Sequence, residues 1–256
     1  MKASKRFMTC ILTVLLICFL FSIDVSAQRT IVIAVDSGNW APMKMKEADG
    51  ELTGFEIDMI KAISSEAGFQ VKIIEVPWEK LFDDLDAGKV DAVMASVSIT
   101  DQRKEKFDFS QPYFSAEQLL VVQKALALSS LQGKTIAAFE ATTGAAVLKK
   151  SKLIKKKFYP VGDTEKAFND LAEGKIDGVI CDTPLAINFC FRRDAYQGKF
   201  AIASERTVLG KPSEKEDYAI AVKKGNVDTL FLLNKGIKAV HAKDIDATLK
   251  ARWIWW

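Results

Sequence analysis

The chain is predicted to be an α/β protein of two similar open-sheet lobes, and three observations lead there. Strand-like and helix-like stretches alternate along it, one helix–turn–strand unit occurs twice, and each copy ends on polar residues just past a buried strand. The first copy, residues 78–103, reads WEKLFDDLDAGKVDAVMASVSITDQR. Leu81 and Leu85 share one face of a short amphipathic helix, and Gly88 supplies the left-handed cap that ends it. VDAVMAS (90–96) is short, apolar and partly β-branched, as a buried strand should be. Beyond it the character changes at once to Ser96, Ser98, Thr100, Asp101, Gln102 and Arg103. Polar side chains just past the carboxyl end of a buried strand stand where open α/β sheets bind ligands. Thr100 can cap a short helix there and hold Arg103 at a defined angle.

The second copy is TEKAFNDLAEGKIDGVICD (164–182). Phe82, Asp84, Leu85, Gly88, Lys89, Val90, Asp91 and Val93 align with Phe168, Asp170, Leu171, Gly174, Lys175, Ile176, Asp177 and Val179, which sets Ser96 opposite Asp182. The two halves are therefore built alike, each with a polar group at a strand end.

The remaining elements follow in order. TIVIAVD (30–36) reads as a buried strand ending at Asp36, and SGNWAPM (37–43) as a loop with Trp40 at its tip. GFEIDMIKAISSEAG (54–68) is a helix stopped by Gly68, and VKIIEV (71–76) a strand. FDFSQPYFSAEQLLVVQK (107–124) crosses a turn at Pro112 into a strand that can link the halves. TIAAFE (135–140) opens the second half as TIVIAVD opened the first, so Glu140 takes the place of Asp36. ATTGAAVLKK (141–150) is a helix, KKFYPV (156–161) a strand, and TPLAINFCFRR (183–193) a helix with Pro184 in its first turn. EDYAIAVKKGN (216–226) is a strand returning to the first half, followed by helices over 228–244 and 246–253. The terminal Trp253, Ile254, Trp255 and Trp256 are expected to pack on the first lobe. Alternation of this kind means sheets covered on both faces.

Residues 1–27 stand apart. Lys2, Lys5 and Arg6 precede an apolar run from Phe7 to Phe21, and Val25-Ser26-Ala27 is a small-x-small cleavage site, the pattern of a secretory signal peptide. The run is short for a membrane span. Cleavage there removes three positive charges and one negative one and takes the formal charge from +3 to near neutral. A nearly neutral, mixed-sign chain argues against nucleic acid or a membrane surface as partner. The lysines at 149, 150, 152 and 155–157 read as a solvated helix end and loop. Cys181 and Cys190 remain after cleavage. An exported protein permits a bridge between them, but a strand and the far part of a helix set them poorly for one, so two buried thiols are expected. The single histidine, His241, lies in the C-terminal helical region with no evident partner, which leaves no His-based triad and no His-rich zinc site. No cofactor is expected.

Nearly the whole mature chain resembles the family 3 periplasmic solute-binding proteins of amino-acid ABC transporters. Gly54-Phe55-Glu56-Ile57-Asp58-Met59 is similar to that family's signature, AGKVDAVMASVSITDQR with FDFSQPYF to its most specific segment, and EDYAIAVKKGN to its return strand. The resemblance implies the type II periplasmic-binding-protein fold, with two lobes joined by a two-strand hinge and a ligand cleft between them. It divides the chain into a first lobe over 28–115, a second over 116–210 with hinge strands at its ends, and a return to the first over 211–256. It also implies that Arg103 grips a ligand α-carboxylate together with Thr143, Thr142 and the amides opening their helix. Asp182 would take the α-ammonium, helped by Ser98 and the carbonyl of Ser96, while Trp40, Trp78 and Asp36 would meet the side chain. Ala141 stands where relatives often carry glycine, and the loop around Trp40 is one residue longer than in close relatives.

The chemistry of these residues agrees. A guanidinium presents parallel donors that match a carboxylate, a helix N-terminus adds amides, and an opposed carboxylate suits an ammonium. If Asp36 and Glu140 both face the cleft, they favour a cationic side chain, so arginine, lysine or ornithine is the expected ligand. The expected role is capture of a free amino acid in the periplasm, by a monomer, for delivery to a membrane permease. Two other readings stand beside it: a dehydratase-type enzyme on the same fold, and a ligand-sensing subunit for a receptor.

Overall fold

A computed structural model describes residues 28–124, 131–152, 155–203 and 215–254. The expected signal peptide over 1–27, the lobe boundary at 210/211, and Trp255 and Trp256 lie outside the described residues. In the first part of the chain the strands are β1 (Thr30–Asp36), β2 (Met45–Lys46), β3 (Leu52–Thr53), β4 (Gln70–Val76), β5 (Ala92–Val93), β6 (Phe107–Phe109) and β7 (Phe114–Ala116). After them come β8 (Gln118–Gln123), β9 (Thr135–Phe139), β10 (Lys155–Tyr159), β11 (Gly178–Asp182), β12 (Phe200–Ile202), β13 (Glu216–Tyr218) and β14 (Ala221–Lys223). The helices are α1 (Phe55–Ala67), α2 (Trp78–Asp86), α3 (Asp101–Lys104), α4 (Thr143–Lys150), α5 (Thr164–Ala172), α6 (Thr183–Ile187), α7 (Val227–Ala242) and α8 (Ile245–Trp253).

Two five-stranded sheets share one plan. The first runs β4-β1-β5-β14-β6, with β4, β1 and β5 parallel and β14 antiparallel to both its neighbours. The second runs β10-β9-β11-β8-β12, with β10, β9 and β11 parallel and β8 antiparallel to both of its own. Between them β7 and β13 pair antiparallel, so the chain crosses from one sheet to the other on two adjacent strands. Tyr113 and Tyr218 are fully buried at that crossing. The two-lobed α/β fold expected from the sequence is the fold found.

The repeated unit has a physical reason. Gly88 and Gly174 hold φ of 69° and 73°, the left-handed conformation that ends each helix without a Cβ penalty. Asp91 then takes the amide of Val32 on its Oδ2 at 2.8 Å while its own amide donates to the Val32 carbonyl at 2.9 Å. Asp177 does the same to Thr135, with both distances 2.8 Å. The recurring aspartate thus pins each incoming unit to the neighbouring parallel strand of its own sheet, β1 in the first and β9 in the second. Gly54 is required for a second reason: with φ at 118°, a Cβ there would stand 2.5 Å from the Met43 carbonyl oxygen.

Three expectations change in detail. Strand 90–96 shrinks to β5, and Ser96 leaves it with φ of 51°. Residues 183–193 begin as α6 and widen into a π-helical turn over Asn188–Arg192. His241 has a partner after all, its Nδ1 lying 3.0 Å from Asp246 in the next helix, a contact that the i to i+5 spacing across a helix junction concealed. Cys181 and Cys190 are buried free thiols, and Trp253 packs on the first lobe, its indole donating to Asp58 Oδ2 at 2.8 Å.

Candidate functional site

A narrow cleft lies between the two sheets. Asp36, Trp40, Trp78, Ser96, Ser98 and Arg103 line it from the first side, and Thr142, Thr143 and Asp182 from the second. Nine of the ten residues singled out from sequence are therefore together.

Arg103 sits on α3, whose cap Thr100 accepts the Arg103 amide at 3.2 Å. Its Nη1 donates to the Ser98 carbonyl at 2.8 Å and its Nη2 to the Ala141 carbonyl at 3.4 Å, so one guanidinium touches both sides of the cleft. It lies 5.8 Å and 5.3 Å from the ring centroids of Trp78 and Phe82. Burial lowers its pKa, while Glu216 and Asp182 oppose the shift, and an arginine stays charged under such pressure.

Asp182 ends β11 and is buried. Its two oxygens accept from Gln118 Nε2 and from the Tyr218 hydroxyl. Burial nonetheless pushes its carboxyl up to about 6, against the pull of those two donors. Asp36 ends β1 and is raised to about 6 by the same cause, with the amides of Gly38 (3.1 Å) and Trp78 favouring its ionised form. Trp40 meets Phe139 edge-on, ring centroids 5.4 Å apart, across the cleft. The buried Trp40 Nε1 makes no hydrogen bond among the described residues.

Thr142 serves its own backbone: its hydroxyl accepts the Ala145 amide at 3.1 Å and donates to the Phe139 carbonyl at 2.7 Å, capping α4. Thr143 points its hydroxyl inward and donates to Glu216 at 2.7 Å.

Glu140 is the residue that does not arrive. It is exposed, and its amide donates to the Tyr159 carbonyl just as the Ser37 amide donates to Val76. Val32 and Thr135 are the matched positions of β1 and β9, so Phe139, not Glu140, corresponds to Asp36. A register slip of one residue turns a strand side chain to the opposite face.

Five further groups, not singled out in the sequence, complete the site. Glu56, fully buried and raised by desolvation, accepts the Ser96 amide at 2.6 Å, the Ser96 hydroxyl at 3.1 Å and the Tyr113 hydroxyl. It therefore holds Ser96 in its left-handed conformation. Lys44, also buried, lines the cleft and pairs with Glu75 at 2.6 Å. Glu216 and Tyr218 come from the crossing strand β13 and Gln118 from the start of β8, and together they surround Asp182 and Thr143. Glu56 stands in the GFEIDM segment, and Gln118 and Glu216 each begin a strand assigned to the crossing; position in those motifs is the one signal the sequence offers. Among the described residues no three or more His, Cys, Asp or Glu side chains are grouped to hold a metal ion, and no helix is long and apolar enough to cross a membrane.

Comparison with known proteins gives concordant results. The family model described as bacterial extracellular solute-binding proteins, family 3, matches residues 31–255. A probable histidine-binding protein of Neisseria gonorrhoeae is 29% identical over 210 residues, covering 80% of this chain and 76% of its own. An ancestral arginine-binding protein bound to arginine superposes with a TM-score of 0.78 at 28% identity, covering 89% of this chain and 99% of that one. An ancestral arginine-binding protein bound to glutamine gives 0.77 at 28% identity, with 90% and 99% covered.

Proposed function

The chain belongs to family 3 of the bacterial extracellular solute-binding proteins, and from that premise we propose that it captures a free amino acid with a basic side chain and delivers it to an ABC permease. Arginine, lysine or ornithine is the class of ligand. The observation that carries this reading is the opposition of Arg103 and Asp182 in one cleft. A guanidinium and a carboxylate facing each other select a zwitterion, since each end of an α-amino acid finds its complement. Charge-assisted bonds of this kind contribute about 1.5–3 kcal/mol each, so a few of them with closure reach micromolar affinity.

Asp36 supports the basic side chain. It is a buried carboxylate beside Trp40 and Trp78, and aromatic faces with a nearby acid suit a guanidinium or an ammonium on an aliphatic stem. The lobe formed by 28–115 with 211–256 and the lobe formed by 116–210 close on the ligand, and a monomer in that closed form docks on the permease. Location outside the cytoplasmic membrane follows from export by residues 1–27. In this reading the site binds without turnover: Asp182, oriented by Gln118 and Tyr218, serves as the counter-charge of the ligand ammonium.

One atom favours a second reading. The Trp40 Nε1 hydrogen has no acceptor among the described residues, and a side chain that accepts a hydrogen bond, as in histidine or glutamine, would supply one. A thermal-shift titration of refolded protein against the common amino acids decides. Stabilisation by arginine, lysine and ornithine is expected. Stabilisation confined to histidine or glutamine would favour the second reading. Silence across the panel, with turnover of a prephenate-like acid, would replace both with an enzyme.

A further inference from the structure

Glu216 begins β13, on the return crossing, and its half-buried side chain reaches into the site. Its Oε2 accepts the Ser98 hydroxyl at 2.7 Å and the Thr143 hydroxyl at 2.7 Å, with Gln118 Nε2 at 3.4 Å. Ser98 follows β5 of the first sheet, and Thr143 opens α4 beside the second. One carboxylate oxygen therefore ties the two sides of the cleft together from the hinge. Its charge is felt by both Arg103 and Asp182.

A hydroxyl has a single proton to give. Ser98 and Thr143 both give theirs to Glu216, which leaves Thr143 without one for a ligand carboxylate approaching Arg103 and locks Ser98 to the same oxygen. A second carboxylate in the same seat would also meet like-charge repulsion at close range. Glu216 thus holds, from within the chain, the position that an amino acid's α-carboxylate would take.

We propose that Glu216 is an internal stand-in for the ligand carboxylate, tethering the lobes through Ser98 and Thr143 and giving up that seat when an amino acid binds. The inference rests on the amino-acid reading of the cleft. It makes Glu216 an affinity- and selectivity-setting residue. Any ligand with an α-carboxylate must displace it, whereas a decarboxylated analogue such as agmatine binds with the tether in place and gains from its negative charge.

The test uses Glu216→Ala, with Glu216→Gln as the variant that keeps shape and removes only charge, and Asp217→Asn as a control one residue along the same strand. Spin labels at Lys61→Cys and Glu173→Cys report lobe separation without ligand, and calorimetry reports binding of arginine and agmatine. Removing Glu216 is expected to lengthen the inter-lobe distance. It should also tighten arginine by about tenfold or more and leave agmatine unimproved. Glu216→Gln falls between, and Asp217→Asn matches the parent. An unchanged distance, or arginine binding that is unchanged or weaker in Glu216→Ala, would overturn the proposal. Lengthened distance with no amino acid bound by any form would keep the tether and overturn the amino-acid reading instead.

Discussion

Asp36 and Asp182 each end a buried parallel strand, and burial lifts both carboxyls to about 6. A cation seated beside them would favour the ionised form and lower those values, so binding releases whatever proton the free site holds. Affinity is then complete above about pH 7 and declines as pH falls through about 6. Titration with arginine at about pH 7.5 and again at about pH 5 should show a loss of about tenfold for each carboxylate that meets the ligand. A flat profile would mean that neither does. For folding the sign is reversed. Both groups hold protons in the folded chain that the unfolded chain, titrating near the ordinary 3.8, has released, so they add stability as pH falls from about 6 to about 4 and add none above it. Arg103 and Asp182 were legible in the sequence because one sits on a short capped helix beyond a buried strand and the other at a strand end, each inside a recognisable stretch. Glu56 and Glu216 had no local signature for what they do: their partners Ser96 and Ser98 lie 40 and 118 residues away, and only the folded topology joins them.

At the junction of β9 and α4, Ala141 carries φ of 56°. A Cβ crowds the following carbonyl in that conformation, and glycine does not. The family resemblance expects glycine there, and the backbone supplies the reason. Ala141→Gly should stabilise the protein by about 0.5–1 kcal/mol, the left-handed penalty less the extra freedom of the unfolded chain, measured as a shift in the chemical denaturation midpoint at constant slope. The Arg103 contact at 3.4 Å is to the main-chain carbonyl and survives the change, so a variant no more stable than the parent would contradict the left-handed penalty at this position. Elements built on strong periodicity were the legible ones: β1, α1 and the repeated helix–turn unit came through with ends shifted by a residue or less. The length of the strand before Ser96 was not legible, because the Glu56 carboxylate draws Ser96 out of the extended conformation. Nor was the facing of Glu140. Matching the two halves by the acidic residues that end TIVIAVD and TIAAFE puts them one residue out of register, and the aspartates at 91 and 177, hydrogen-bonded to Val32 and Thr135, fix the true one.

On the scale of the molecule, two sheets of one plan face each other across a cleft and share two crossing strands, a layout in which small rotations at the crossing move large surfaces at the cleft mouth. Arg103 to Ala141, Trp40 against Phe139 and Thr164 Oγ1 to the Asn39 carbonyl at 3.3 Å are contacts between the facing surfaces. Under the proposed function a zwitterion joins those surfaces, and Arg103 is the group that reads its carboxylate. Calorimetry of the refolded protein with L-arginine at neutral pH, parent beside Arg103→Ala, tests that most directly. Micromolar or tighter binding by the parent and a loss of about a hundredfold or more in the variant are predicted; equal affinity in the two would contradict the zwitterion grip.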